Sequence, residues 1–341
     1  MNKRALRADI LLLLTAAIWG FGFVAQRSGM EYVGPFAFNG IRFILGSFSL
    51  LPLILVRRNK LIDNKVTGSV VKPLPVRRLI LPSLAAGSCL FVAVMLQQFG
   101  VIFTTAGNAG FITCLYVVLT PIFGIFLGRK TGPATWLGSI LTLAGLYFLS
   151  IAGKDAEGSI NPGDIIIVIS ALFWTVHVLL IDRLMNIGTS IDPIELSAGQ
   201  FAVCGVLSLF GAFLFEPHVV SVTGRIDPSL LSAGLFAWLP FPALVTALWA
   251  GTVPFSLMKA LIPILYGGLC SVGIAYTLQV IAQRDAPPAH ATIILCFEGC
   301  FAALGGALIR SEKIGAWTLL GFSLMLAGML GSQWEVIRKR V

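Results

Sequence analysis

A carboxyl group and a guanidinium group stand inside long apolar stretches of this sequence, where charged side chains are costly. Glu298 is the only carboxylate in the middle of such a stretch. An isolated ionised carboxylate is strongly disfavoured at low dielectric constant, so Glu298 must be protonated, paired or hydrated. Two roles meet this requirement. One is a site for a proton or a cationic ligand, and the other is a structural carboxyl group that is hydrogen-bonded to a neighbouring helix.

Two further ionisable side chains could take part in polar chemistry. Arg42 is the only basic residue embedded in an apolar stretch. Its guanidinium group could attract an anionic group of a ligand. Alternatively, it lies near the outer end of a helix and reaches a carbonyl group or lipid headgroups. His177 could relay protons because imidazole titrates near neutrality, or it could be a neutral buried side chain bonded to a backbone carbonyl.

Aromatic and amide side chains recur at helical spacing in the same stretches. Trp19 and Trp174 could stack on a planar or cationic ligand, or they could serve helix packing or lie at a membrane interface. Stripes of Ser, Thr and Gly favour close helix packing over a cavity. Larger polar groups must find partners, which favours a shared cavity. The candidate binding residues are Trp19, Arg42, Gln97, Tyr116, Trp174, His177, Gln200, Tyr276, Gln279 and Glu298.

The composition shows what kind of element must position these side chains. Of the 341 residues, 57% are hydrophobic and 11% are charged, and the mean hydropathy is +0.92. Soluble domains contain roughly 25% charged residues. Apolar runs of this length cross a hydrocarbon layer of about 30 Å as helices. Ten such spans are predicted, near residues 9–27, 34–56, 79–100, 106–128, 133–152, 163–181, 193–215, 260–282, 288–309 and 315–333.

Basic residues determine the expected orientation. With ten spans and the N-terminus inside, seventeen Lys and Arg residues fall in inside segments and six in outside segments. This bias predicts that both termini are cytoplasmic. The region 228–256 is apolar but contains four prolines, which favours an interfacial or re-entrant piece. An eleventh span there is the alternative, and it would invert everything downstream.

The charge and the cysteine content are consistent with a membrane protein and indicate no other class of protein. The net charge of +9 comes from short segments between apolar runs rather than from one extended basic surface, so no nucleic-acid partner is expected. The six cysteines all lie in apolar runs and are predicted to be small helix residues. Neither a metal nor another cofactor is expected. The first apolar run resembles a signal peptide, but another span follows without a clear cleavage site, so it is predicted to be an uncleaved helix.

The sequence also contains an internal repeat. Each unit holds five spans, and because five is odd, the second unit enters the membrane from the opposite side. Inverted halves of this kind are typical of secondary transporters. The matching segments, in the same order in both halves, are 17–19 with 172–174, 35–43 with 193–201, 96–97 with 278–279, and 141–145 with 324–328.

Several of these motifs carry a resemblance to a known family. Trp19-Gly20, Pro35-Phe36, Arg42-Phe43 and the segments 105–111 and 297–303 resemble the EamA family of the drug/metabolite transporter superfamily. The resemblance covers nearly all of 9–333. It implies a ten-helix bundle around a central cavity, and export or exchange of amino acids, nucleotide-like metabolites or drugs. The chain departs from the family in its longer 216–258 connection and in Gly299, where the family often has Pro or Ser.

The fold class expected is therefore an all-α polytopic membrane protein in which ten transmembrane helices form two inverted five-helix repeats. The first repeat spans 9–152. The second spans 163–333, with a 216–258 insertion between its second and third helices.

The function expected is secondary transport of a small molecule by alternating access. A channel or scaffold is the alternative. A membrane-embedded enzyme would need a catalytic constellation, and three scattered histidines with one mid-span carboxylate offer none. The sequence contains no Walker-type nucleotide motif. The partners expected are a small-molecule substrate, membrane lipid and, in a homodimer, a second copy of the chain. The location expected is the plasma or inner cell membrane.

Overall fold

The computed structural model describes residues 3–66, 77–103, 106–128, 131–150, 162–186, 191–216, 257–310 and 315–338. Throughout these residues the regular structure is helical. The elements, in chain order, are α1 (Lys3–Met30), α2 (Pro35–Val66), α3 (Arg77–Phe103), α4 (Ala106–Thr113), α5 (Tyr116–Phe126), α6 (Pro133–Ser150), α7 (Pro162–Asn186), α8 (Pro193–Phe215), α9 (Leu257–Leu265), π1 (a π-helix, Tyr266–Tyr276), α10 (Thr277–Ala282), α11 (Pro288–Leu295), α12 (Phe297–Arg310) and α13 (Ala316–Arg338).

Six stretches of helix within the described residues are long and apolar enough to cross a membrane: Lys3–Met30, Pro35–Arg58, Arg77–Phe103, Pro162–Asn186, Pro193–Phe215 and Leu257–Ala282. Each has at least 23 residues, which is sufficient at 1.5 Å per residue to span about 30 Å of hydrocarbon. Large apolar side chains cover their outer faces, and Phe213 and Ile262 are 76% and 80% exposed. Such faces are stable in lipid and unfavourable in water.

Proline and acidic caps explain where several helices begin. Proline is the first residue of helices α2, α6, α7, α8 and α11. Proline has no backbone N–H, and an N–H at this position would have no helical partner. The Asp192 carboxylate accepts bonds from the N–H groups of Ile194 and Glu195. The first turn of α2 is capped from a distance, because the Glu216 carboxylate accepts bonds from the N–H groups of Phe36 and Ala37 at 2.8 and 3.0 Å.

The predicted spans 106–128 and 288–309 are each divided into two helices. The first is interrupted between α4 and α5, and the second at Cys296 between α11 and α12. The interruptions face each other. The Cys114 thiol lies 3.8 Å from the Cys296 carbonyl oxygen, and the Cys296 thiol lies 3.5 Å from the Cys114 carbonyl oxygen. Broken helices are tolerated at membrane depth where they are buried in protein, and both cysteines are fully buried.

Helix packing places these broken elements at the centre. Helix α2 packs along α8 and π1, α3 packs between α7 and α8, α1 packs on α12 and π1, and α6 packs on α13. Helix π1 is rich in glycine, and π-helical turns are rare and occur frequently at functional sites. A side-chain carbon at Gly268 would lie 2.7 Å from a methyl carbon of Leu45. Glycine at this position therefore permits the close approach of π1 to α2.

The long connection between the second and third helices of the predicted second repeat was expected to contain an interfacial or re-entrant piece. Residues 217–256, with His218, lie outside the described residues, so that expectation remains a prediction.

Candidate functional site

A small cavity lies at the centre of the described helices. Its volume is about 30 Å³, which is space for roughly two water molecules. The lining side chains come from α1, α3, α4, α5, α7, π1, α10, α11 and α12. They are Trp19, Phe23, Gln26, Gln97, Thr113, Tyr116, Trp174, Val178, Ser271, Tyr276, Gln279, Leu295 and Glu298.

Glu298 supplies the acidic group of this cavity. It lies in the first turn of α12, directly after the break at Cys296, and only 4% of its surface is exposed. Its Oε1 accepts a hydrogen bond of 3.2 Å from the Tyr116 hydroxyl and a weaker contact of 3.7 Å from the Cys114 thiol. These donors come from the opposite broken helix. Among the described residues, the ion pairs do not include Glu298, so its hydrogen-bond partners are uncharged.

Three aromatic rings form one wall of the cavity. The ring centroids of Trp19 and Trp174 are 6.3 Å apart. The ring of Tyr276 lies 4.6 Å from that of Trp19 and is stacked 5.9 Å from that of Trp174. The indole N–H of Trp19 donates to the Ser271 carbonyl oxygen at 3.2 Å, and that of Trp174 donates to Gln97 Oε1 at 2.7 Å. These bonds fix the rings in the protein interior, so placement of the two tryptophans at a membrane interface is wrong.

Three predicted site residues are buried behind the cavity lining instead of forming it. His177 Nε2 lies 2.9 Å from Gln200 Oε1. Since that oxygen only accepts, Nε2 is assigned the proton. The expected alternative partner of His177 was a backbone carbonyl, and the partner is a side chain. Arg42 is 2% exposed, with its guanidinium carbon 5.5 and 5.0 Å from the ring centroids of Phe38 and Phe43.

The environment of Arg42 corrects one sequence-based alternative. A side chain that reaches lipid headgroups would be exposed at a helix end, whereas Arg42 is enclosed by α2 and π1. A side-chain carbon at Gly267 would lie 3.3 Å from Arg42 Cδ, so the π-helix packs directly on the arginine stem. The Nε atom of Arg42 has no hydrogen-bond partner among the described residues. Arg42 is therefore a buried cation held mainly against aromatic rings.

Seven of the ten predicted site residues line the cavity: Trp19, Gln97, Tyr116, Trp174, Tyr276, Gln279 and Glu298. Gln26 and Thr113, two polar residues that were not selected as binding residues, also line the cavity. Sequence reasoning missed Phe23, Val178, Ser271 and Leu295. Three of these are apolar and carry no polar signal, while Ser271 lies in π1, whose register differs from that of an α-helix.

A hydrogen bond that was not anticipated connects α1 to α11. His290 Nε2 lies 2.9 Å from Asp9 Oδ1, and both side chains are largely buried. The sequence alone suggested no role for His290. Because Asp9 lies near the start of α1 and His290 near the start of α11, the pair joins the two helices at one end of the bundle.

No group of three or more His, Cys, Asp or Glu side chains arranged to hold a metal is found among the described residues. All six cysteines are free thiols.

These helices and their buried polar centre define a polytopic α-helical integral membrane protein. A model of the EamA-like transporter family matches residues 6–151 and again residues 161–333. The chain belongs to the EamA-like transporter family.

Individual proteins with similar sequences agree with this assignment. An uncharacterized transporter of Archaeoglobus fulgidus is 26% identical over 96% of this chain and 86% of its own length. The uncharacterized transporter YoaV of Bacillus subtilis is 22% identical over 97% of this chain and 98% of its own. The uncharacterized inner membrane transporter YedA of Escherichia coli K12 is 25% identical over 63% of this chain and 74% of its own.

A solved structure shares the fold. It is a crystal structure that superimposes with a TM-score of 0.65 at 17% sequence identity, and the match covers 98% of this chain and 99% of the other. At this level of identity the similarity concerns the fold alone.

Proposed function

We propose that this protein is a secondary transporter that exports or exchanges a small organic metabolite, an amino-acid-like compound or a drug by alternating access. The observation that carries the proposal is the central cavity, in which an acidic group faces an aromatic wall between two broken helices. A buried carboxyl group and a ring of polarisable aromatic faces can together hold a polar or cationic group of a solute. Relatives of similar length are named as transporters.

The cavity also supports a division of the transport cycle into closed and open states. A space of about 30 Å³ is far below the 300–1,000 Å³ of an ordinary ligand pocket. A solute of ordinary size therefore enters only after helices move apart. The Asp9–His290 pair at one end of α1 is a contact that must open or shift when that end becomes accessible.

The proposed architecture is ten spans in two inverted repeats, 9–152 and 163–333. Three features support it. The family model matches the chain twice, in two consecutive segments, and the two helix interruptions, at Cys114 and Cys296, contact each other across the centre. Trp19 and Trp174, which correspond in the repeat, also meet there. Exchange of conformation between inverted halves converts an outward-open cavity into an inward-open one.

Counterflow in proteoliposomes tests the proposed function. Purified protein is reconstituted, vesicles are loaded with a panel of unlabelled amino acids and metabolites, and entry of the labelled compound is measured. We expect saturable uptake that is stimulated by the same compound on the opposite side. Trp174→Ala removes a cavity wall and the bond to Gln97, so it should reduce the rate of this saturable uptake at least tenfold. Ser323→Ala, on an exposed face of α13, is the control. Uptake that does not saturate would indicate a channel, and no uptake of any compound would support a scaffold.

Topology mapping tests the proposed orientation. A reporter fused after Val341 should be cytoplasmic, because seventeen of the basic residues then lie inside and only six outside. A reporter inserted between residues 217 and 256 should lie on the opposite side. A cytoplasmic reporter inserted near residue 70 serves as the reference for the inside. If the reporters at Val341 and in 217–256 report the same side, the ten-span arrangement is wrong.

A further inference from the structure

A groove separate from the central cavity lies between α2, α3 and α8 at one end of the bundle. Its volume is about 310 Å³, which is ten times that of the central cavity and comparable to a small ligand pocket. The apolar part of α2 ends here at Arg58, while α3 and α8 begin here, so the groove lies at one membrane face. Its lining consists of Ile54, Arg58, Leu79, Ile80, Ser83, Leu84, Glu195, Gly199 and Val203.

The walls of the groove are apolar and open to the membrane. Ile80 and Leu84 are 52% and 47% exposed, and both lie in a helix long enough to span a bilayer. The floor forms where α3 and α8 meet, because Gly199 lacks the side-chain carbon that would collide with the Ser83 hydroxyl. An elongated hydrocarbon chain fits such a channel between helices. A small polar solute would instead leave the apolar walls of the groove in contact with water, which is unfavourable.

The end of the groove is cationic. Arg58 Nε donates to Glu195 Oε1 at 2.6 Å, and 30% of the Arg58 side chain remains exposed. The guanidinium group has five N–H donors, so this ion pair orients Arg58 and leaves other donors free for a second anion. The neighbouring Arg57 pairs with Asp192 at 3.1 Å.

The surrounding charge is not balanced by these two acids. Arg77 and Arg78 begin α3, next to the lining residue Leu79, and both are exposed. Arg58 itself lines the groove, and Arg57, Arg77 and Arg78 are the chain neighbours of its lining residues Arg58 and Leu79, so four guanidinium groups occur at this end of α2 and α3 against the carboxylates of Asp192 and Glu195. Basic pockets between transmembrane helices are suited to anionic lipid headgroups.

We propose that this groove is a binding site for an anionic phospholipid. The acyl chains lie between α2, α3 and α8 along Ile54, Leu84 and Val203. The phosphate group is bound by Arg58, Arg77 and Arg78. The lipid stabilises the packing of α2 against α8. This packing also holds α2, and with it Arg42, next to π1. The site does not depend on which solute the central cavity accepts, and it does not depend on the orientation of the chain.

The test uses the full-length protein, stripped of lipid in a neutral detergent. Native mass spectrometry counts the bound lipids, and thermal unfolding measures stabilisation on addition of phosphatidylglycerol or phosphatidylcholine. We expect tight binding and a raised Tm with phosphatidylglycerol only. Glycerol 1-phosphate, which has the anionic headgroup without acyl chains, should not raise the Tm. If it does so as well as the lipid, the groove is a site for a free anion and the proposal is wrong.

Two kinds of variant separate charge from shape. The double change Arg77→Gln and Arg78→Gln should weaken phosphatidylglycerol binding about thirtyfold, since each basic residue near an anionic headgroup contributes roughly fivefold. Leu84→Trp fills the groove without changing charge and should reduce binding as strongly. If Leu84→Trp does not fold, Ile80→Trp replaces it, because that side chain is even more exposed.

The matched control is the double change Arg27→Gln and Lys259→Gln. It removes the same number of charges at the other end of the bundle from the groove, in the last turn of α1 and near the start of α9. This control should bind phosphatidylglycerol like the unchanged protein. Equal binding of phosphatidylcholine, equal loss in the control, or unchanged binding in the groove-filling variant would each overturn the proposal.

Discussion

Replacement of Glu298 by Gln should abolish pH-dependent transport while leaving the amount of folded protein unchanged. The carboxyl group accepts a hydrogen bond from Tyr116 and a weaker contact from Cys114. The amide oxygen of Gln can accept the same bonds, so the two broken helices remain joined. The variant loses both the charge and the proton that the carboxyl group can exchange. Transport per folded molecule, measured in proteoliposomes across a range of pH, reports the result.

Two further variants separate a titrating role of Glu298 from a structural one. Glu298→Ala leaves the buried Tyr116 hydroxyl without its partner, which costs about 1–3 kcal/mol, and the folded amount should fall. Tyr116→Phe removes the donor and keeps the carboxyl group, so the pH dependence should persist with a shifted midpoint. If Glu298→Gln transports at the normal rate with an unchanged pH profile, Glu298 does not titrate during the cycle.

Replacement of Gly20 by Ala should strongly destabilise the protein. Helix α1 lies directly on α12 at this point. The added carbon would be 2.7 Å from the Glu298 carbonyl oxygen and 2.8 Å from the Ala302 backbone nitrogen. Backbone atoms cannot rotate away as a flexible side chain can, so the helices must separate. Overpacking of this kind costs about 1–3 kcal/mol or more. The Tm in detergent and the yield of monodisperse protein should both fall.

Gly22→Ala is the matched control, two residues further along the same helix. The nearest atom to an added carbon there is the Ser271 hydroxyl oxygen at 3.7 Å, an ordinary contact. Because Ala is a better helix former than Gly by about 1 kcal/mol, Gly22→Ala should keep or slightly raise the Tm. Equal Tm values for the two variants would show that α1 and α12 do not pack as closely as the structure places them.

The membrane class and most of the helices were predictable because they depend on local properties of the chain. The long apolar run of α3 and the proline that begins α8 determine a span and its start without reference to any neighbour. The runs 106–128 and 288–309 were predicted as spans, and the sequence did not indicate that the helix is interrupted inside each of them. The breaks at Cys114 and Cys296 carry no proline or glycine signal at the interrupted positions, and each is compensated by contacts from the other helix.

Part of the candidate site was also predictable from local properties of single helices. A polar stripe identifies the face of a helix that avoids lipid, and this was sufficient to select Trp19, Trp174 and Gln279. It does not identify the neighbour of that face. His177 and Gln200 therefore appeared to be cavity residues, although they bond to each other behind the lining. Ser271 was missed because a π-helix shifts the residues that share a face.

The sequence by itself determined that this chain is a helical membrane protein with a few costly polar groups in its interior. Hydrophobicity, helix starts and charge bias are properties of neighbouring residues. Only the tertiary structure decided which of those polar groups meet. Glu298 bonds to Tyr116 across 182 positions, Glu216 caps α2 across 180, and His290 pairs with Asp9 across 281. Such contacts follow from the packing of whole helices, because periodicity along one helix contains no information about the helix that will lie against it.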